Sequence, residues 1–216
     1  QKVLELESSF KDYFHTGHAV ATNSATSSLH CALAALGIGN RDEVIVPSVS
    51  MSASASSILM VGAKPVFIDI NNGFSETCKC STCKLEKKGC FNIDVSKIEE
   101  NLTKRTKAIL VVHLFGKSAD MESIMDIAKT NDLYVIEDCA QSPGTKFNGK
   151  YVGTFGDIGV FSFNQSKTIS SGEGGVAITS NKKSALRMQL MRNHGEAMIE
   201  DFPDSEWEDV IGFNYR

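Results

Sequence analysis

The sequence predicts an α/β fold: three layers, α/β/α, around a mostly parallel central sheet. Two observations carry this. Short β-branched runs alternate with longer stretches of helical period, and those runs are apolar nearly throughout, as in strands covered by helices on both faces. Only four prolines occur and no linker-like segment divides the chain, so 1–216 reads as one domain.

The elements follow in order. Residues 26–36 set Leu29, Ala32, Leu33 and Leu36 on one helical face, and Gly37 and Gly39 stop that helix. Residues 43–46 form a strand ended by Pro47, and 52–61 a helix of small residues with Gly62 at its end. Strand 65–70, a cysteine-rich segment, a short helix over 95–102 and strand 108–114 come next. An amphipathic helix over 120–130 turns Ile124, Ile127 and Ala128 inward. Strand 133–136 runs into Glu137 and Asp138. Strands 158–163 and 174–179 and a helix over 182–192 complete the pattern.

Composition narrows the function. Hydrophobic residues are 42% of the chain, enough for a sizeable core, and the net charge is −4. A nucleic-acid binder is expected to carry a basic stripe, which is absent. The longest strongly apolar run, 108–115, is too short for the ~20 residues that a membrane helix needs. No charged-then-apolar leader opens the chain, and a cytoplasmic protein is expected. The chain starts at Gln1 rather than Met and ends on Asn214, Tyr215 and Arg216 without a stop signal, so the natural protein is expected to be longer.

Four of the six cysteines, Cys78, Cys80, Cys83 and Cys90, lie together within 76–90. Four soft ligands in short loops suit structural zinc. The C-x-C spacing is cramped for one metal, and an iron–sulfur cluster or free thiols remain alternatives. Cys31 and Cys139 stand alone in apolar surroundings and read as small core residues.

In an open α/β sheet, ligands gather at the carboxyl ends of the strands. Three features with chemistry to offer fall at strand ends or at a loop-to-helix junction. The run Asn23–Ser28 opens a helix, where free amides and hydroxyls suit an anion, although such residues also serve as ordinary N-caps. Asp138 follows a strand in apolar company and needs a cationic partner or its pKa rises. Lys167 follows the strand ending at Phe163 and precedes the flexible Gly172-Glu173-Gly174-Gly175. A lysine in such a position can form a Schiff base, though most lysines are solvated surface charges. Together, an anion site, a carboxylate and a Schiff-base lysine are what pyridoxal phosphate requires. His113 and His194 are candidate substrate groups; such histidines more often serve structure.

The segments "NSATSSLHCALAALGIGNRDEVIVPSVS", "GAKPVFIDI", "TKRTKAILVVHLFGKSADM", "VIEDCAQSPGT", "GDIGVFSFNQSKTISSGEGGVAITS" and "MRNHG" resemble the DegT/StrS family of sugar aminotransferases. These are fold type I pyridoxal-phosphate enzymes that aminate keto groups on nucleotide-linked sugars. The resemblance runs from Phe10 to Arg216. It implies that Lys167 holds the cofactor covalently and that Asp138 partners the pyridine nitrogen. It places Thr26, Ser27 and Ser162 at the phosphate and Gln141 near the ring and its phenolic oxygen. It matches Asn214 to an asparagine that, in family homodimers, reaches the neighbouring subunit's phosphate. Met51 stands where the family usually has an aromatic residue over the ring; a thioether packs there less rigidly. Segment 76–90 looks like an insertion that the resemblance does not explain.

The implied activity is amino transfer, with glutamate as donor, to a keto nucleotide sugar for amino-sugar or surface-polysaccharide synthesis. Lys167 would move the proton. Two alternatives come from the same family. Sugar dehydratases carry histidine in place of the lysine, against which Lys167 speaks, and some members are regulators. The resemblance also implies that 1–216 is the large cofactor domain alone, lacking an N-terminal arm and a small C-terminal domain.

Overall fold

The computed structural model describes residues 2–71, 91–196 and 211–216. The four clustered cysteines and the predicted insertion lie outside the described residues.

Its elements are α1 (Lys2–Phe14), β1 (His18–Thr22), α2 (Ala25–Ala35), β2 (Glu43–Pro47), α3 (Ser52–Met60), β3 (Lys64–Ile68), β4 (Thr106–Val112), α4 (Met121–Thr130), β5 (Tyr134–Asp138), β6 (Lys146–Phe147), β7 (Lys150–Tyr151), β8 (Ile158–Ser162), β9 (Gly175–Thr179) and α5 (Lys182–Arg192). Seven strands form the main sheet in the order β1-β9-β8-β5-β4-β2-β3. The pairs from β3 through β8 are parallel, whereas β9 runs antiparallel to both β8 and β1. The predicted three-layer, mostly parallel α/β fold is what this chain adopts.

Alternation along each strand builds two cores. Val44, Val46, Leu110, Val112, Ile136 and Val160 point to one face, where Leu29 and Leu33 of α2, Ile58 of α3 and Met188 of α5 cover them. Ile45, Ile109, Val111, Val135 and Phe161 point to the other, against Phe14 of α1 and Met121 and Ile124 of α4. Side chains of successive strand residues point to opposite faces, so two-sided burial requires apolar residues at every position. No helix among the described residues is long and apolar enough to cross a membrane.

Three helices start on side-chain caps that satisfy an orphan amide. Ser24 accepts from the Ser27 amide on α2, Asp120 from Ser123 on α4, and Asn181 from Ser184 on α5. The expected helix over 95–102 is instead two 3-10 turns, Val95–Lys97 and Glu99–Asn101. Ile98 is the one fully buried side chain there, and a single anchor supplies no helical face. Strand β5 extends past the expected end, so Glu137 and Asp138 are its last residues.

Candidate active site

The candidate site forms where the carboxyl ends of β4, β5 and β8 meet the first turn of α2. Ser24 caps that helix through its hydroxyl, 3.1 Å from the Ser27 amide. The amides of Ala25 and Thr26 belong to the first turn and have no intrahelical acceptor. Gly175 lets β9 pass close by: a Cβ there would sit 2.5 Å from the Ser24 carbonyl. Any side chain at this position would push α2 away.

Asp138 is buried at the end of β5. One carboxylate oxygen accepts from the Ala140 amide at 3.0 Å, the other from the Ser54 hydroxyl of α3, also at 3.0 Å. Burial pushes this carboxyl above its ordinary range, and the Ala140 amide, the Ser54 hydroxyl and the nearby Lys167 charge oppose the rise. A cationic N–H placed beside it would restore the ionised form.

Lys167 sits in a tight turn after β8. Its amide donates to the Asn164 carbonyl at 2.9 Å, and the Asn164 side chain accepts from the Ser166 amide at 3.0 Å. Asn164 in turn donates to Glu173 at 2.7 Å, tying the lysine turn to the loop that precedes β9. Gln141 accepts from the Phe115 amide at 3.2 Å, and Ser162 from the Asn164 amide at 3.4 Å.

A cavity of about 230 Å³ brings Thr26, Met51, Asp138, Gln141, Ser162 and Lys167 together. These residues, from four separate stretches of sequence, thus converge on one space. Ser27 and Asn214 are not among its lining residues. The Ser27 hydroxyl is occupied in the cap of α2, donating to Asn23 at 2.6 Å. Asn214 lies on an extended segment docked between α2 and α5. The Asn23 amide donates to the Tyr215 carbonyl at 2.7 Å, and the Tyr215 amide to the Arg192 carbonyl at 3.0 Å. The Tyr215 hydroxyl meets His30 at 3.0 Å. Asn214 is exposed there, beside the N-terminus of α2. Sequence reasoning missed Ser50 and Ser54. Their only signal was a Ser/Ala-rich run, in which no serine stands out.

The donor set fits pyridoxal phosphate. Free amides and the Thr26 and Ser162 hydroxyls suit a phosphate, Asp138 a protonated ring nitrogen, and the Lys167 amine an aldehyde.

The histidines answer differently. The Ala119 amide donates to His113 Nδ1 at 3.2 Å, so the ring proton sits on Nε2, which meets Glu137 at 3.0 Å. Both side chains are fully buried. Glu137 also accepts from the Gly153, Phe155 and Gly156 amides at 2.7, 2.7 and 2.8 Å. His113 is a structural residue, and His194 belongs to the turn that docks Phe213. His113, Glu137 and Cys139 offer ligand atoms within 4.8 Å of one another, yet four N–H groups already fill Glu137. Cys31 and Cys139 are buried free thiols, as read from sequence. Burial pushes Cys31 up to about 12 and Cys139 well above its usual value, so neither is a thiolate nucleophile.

A larger hollow of about 710 Å³ lies at the opposite end of the sheet, against the β6–β7 hairpin. Its Lys146 and Lys150 ammonium groups sit over the Tyr151 and Phe155 rings at 4.3 and 4.6 Å. Size favours that hollow. The convergent chemistry favours the smaller cavity, and chemistry decides a reaction site.

Comparison with known proteins identifies the family. The model of the DegT/DnrJ/EryC1/StrS aminotransferase family matches residues 1–216. GDP-perosamine synthase of Escherichia coli O157:H7 is 43% identical over 214 residues, covering 99% of this chain and 53% of that protein. The UDP-N-acetyl-3-dehydro-alpha-D-glucosamine 3-aminotransferase of Acidithiobacillus ferrooxidans is 41% identical over 204 residues, covering 92% of this chain and 48% of that protein. Among solved structures, S. venezuelae DesV in complex with a ketimine intermediate superposes with a TM-score of 0.85 at 31% identity, covering 100% of this chain and 53% of that one. The chain spans about half the length of the curated relatives it matches.

Proposed function

The chain belongs to the DegT/DnrJ/EryC1/StrS aminotransferase family, and from that premise we propose that it is the cofactor domain of a pyridoxal-phosphate-dependent sugar aminotransferase. The substrate is a keto group on a nucleotide-linked sugar, and the amino donor is glutamate. The observation that carries this reading is the convergence of Lys167, Asp138 and the open first turn of α2 on one cavity.

Pyridoxal phosphate, when bound, supplies the electron sink that stabilises a carbanion. The protein's own groups do the rest. The first-turn amides and the Thr26 and Ser162 hydroxyls hold the phosphate. Asp138 accepts the ring N–H and keeps that nitrogen cationic. Gln141 and Met51 line the same cavity and would border the ring. Lys167 would hold the cofactor, and its amine would move the proton at the donor's α-carbon. Lysine at this position also speaks against the dehydratase reading, in which histidine stands in its place.

A homodimer completes the reading. Asn214 lies outside this chain's cavity, exposed and held beside α2, where it can serve a partner's phosphate. Apolar side chains stand exposed on segments bordering the cavity, Met51 at 60%, Phe115 at 66% and Ile169 at 53%, and a second copy would cover them. Such an enzyme works in the cytoplasm, where nucleotide sugars and glutamate are available.

The test is spectroscopic and kinetic. Wild-type protein mixed with pyridoxal phosphate should gain a visible band that shifts on adding glutamate, and should aminate a keto nucleotide sugar, a GDP-linked one tried first. Lys167→Ala should lose covalent attachment and turnover. A Lys167→Ala protein that kept both the lysine-linked band and full activity would refute the assignment.

A further inference from the structure

The geometry points to Ser54 as a positioning residue for the reaction. Through a directed hydroxyl chain, Ser50 to Ser54 to Asp138, it holds the carboxylate in the orientation and ionised state in which Asp138 accepts the ring N–H. This rests on the reading of Asp138 given above and adds a role that the sequence did not suggest.

The direction of the chain follows from donor counting. An ionised carboxylate only accepts, and a serine hydroxyl has one proton to give. The Ser54 hydroxyl lies 3.0 Å from Asp138 Oδ2, so Ser54 donates there. Ser50 Oγ lies 2.7 Å from Ser54 Oγ. With the Ser54 proton spent on Asp138, Ser50 must be the donor in that bond. Ser54 itself is buried, and its own carbonyl accepts from the Ser57 hydroxyl at 3.0 Å, which anchors this turn of α3. Ser50 lines the cavity, so the chain runs from the cavity wall to the carboxylate.

The consequence is a carboxylate pinned at both oxygens. The Ala140 amide holds Oδ1 at 3.0 Å and Ser54 holds Oδ2, and each oxygen keeps a free lone pair. Rotation of the carboxylate would break both bonds. Lys167 and His113 act on Asp138 through their charges, Lys167 from the turn after β8 and His113 from the end of β4 where it pairs with Glu137, and Glu173 lines the same cavity. Glu137 and Cys139 are its chain neighbours on the opposite face of β5. Among the described residues, Ser54 is the neutral side-chain donor to Asp138, and its removal would leave Oδ2 without that bond in a desolvated site.

Losing that donor raises the proton affinity of Asp138. The proton shared with the ring nitrogen then moves toward Asp138, and the ring loses positive charge. The nitrogen of Lys167, beside a weaker cation, holds its own proton to higher pH. The visible band of the cofactor-loaded protein reports that proton.

The experiment titrates this band against pH for wild type, Ser54→Ala, Ser54→Thr and Ser50→Ala, each loaded with pyridoxal phosphate. In Ser54→Ala the midpoint should rise by about half a unit to one unit, the scale of one charge-assisted hydrogen bond, and kcat should fall more than KM for glutamate rises. Ser54→Thr keeps the hydroxyl and should restore the wild-type midpoint. Ser50→Ala should move it the same way by less, and this variant decides the matter should Ser54→Ala fail to fold. Unchanged midpoints in the alanine variants, with the wild-type band present, would overturn the role of Ser54 while leaving the aminotransferase reading intact. A wild type with no visible band would overturn both.

Discussion

Glu137 and Asp138 are consecutive carboxylates at the end of one strand, and the molecule uses them in opposite ways. Glu137 faces the core shared with α1 and α4, fully buried, and accepts from three backbone amides and His113. Every strong acceptor direction is filled, and the 153–156 loop is fastened to the sheet. Asp138 faces α2 and α3, holds one donor on each oxygen, and borders a cavity. A saturated buried carboxylate organises structure. A buried carboxylate with lone pairs to spare beside a cavity can still accept a donor.

This contrast can be broken at either residue. The largest effect should come from Glu137→Ala, which strands the buried Gly153 amide, the part-buried Phe155 and Gly156 amides and the His113 N–H. Losing one partner of such a network costs about 3–5 kcal/mol, so the urea midpoint should drop sharply or the protein should fail to fold. A Glu137→Ala protein as stable as wild type would show that the two carboxylates are not divided in this way.

Asp138→Asn should do the reverse. Turnover should fall by about a hundredfold or more, the range seen when one preorganised electrostatic contact is lost, while stability at neutral pH holds or rises. The sign follows from the raised pKa of Asp138 in the apo protein. Below the unfolded value of 3.8 the carboxyl is protonated in both states and its contribution to stability is fully present. That contribution is lost as pH rises through the folded pKa. Thermal melts of the apo proteins should therefore show the variant's advantage at neutral pH and its disappearance on acidification.

The smallest effect sharpens the contrast on the cofactor side. His30 of α2 meets the Tyr215 hydroxyl at 3.0 Å and the Phe213 ring edge-on at 5.0 Å, clamping the segment that carries Asn214. Burial lowers its pKa below 6.5, so the unfolded chain takes up the proton first. The stability it contributes is present above that value and lost as pH falls through the folded pKa. His30→Phe keeps the ring contact, should lower stability at neutral pH by about 1 kcal/mol, and should flatten this acid limb. An acid limb unchanged in His30→Phe would assign it to another group.

Much of this was legible in the sequence. Runs such as Val44–Val46 and Ile109–Val112 are apolar at every position, and two-faced burial is the reason. That Asp138 and Lys167 border one cavity could be anticipated because the first ends a strand and the second lies just past one, where α/β sheets place ligands. The strand β1 was not read, because His18–Thr22 carries only Val20 as a β-branched aliphatic. Nor was α1, which packs Phe10 and Phe14 against Phe161 at 5.5 and 4.6 Å. The helix expected over 95–102 gave way to 3-10 turns for want of more than one buried anchor. Ser54 was hidden among like neighbours, since nothing in a run of serines and alanines tells which hydroxyl will meet a carboxylate.

The sequence by itself determined the α/β alternation, the two apolar faces and the residue types able to hold a phosphate, a ring cation and an aldehyde. Only the tertiary structure decided which of two adjacent carboxylates meets the cavity, which serine supports it, and that His113 is bound into the framework. The reason is geometric. Alternation sends strand neighbours to opposite faces, but what waits on each face depends on where the crossovers lay α3 and the 153–156 loop, and those partners lie far away in the chain.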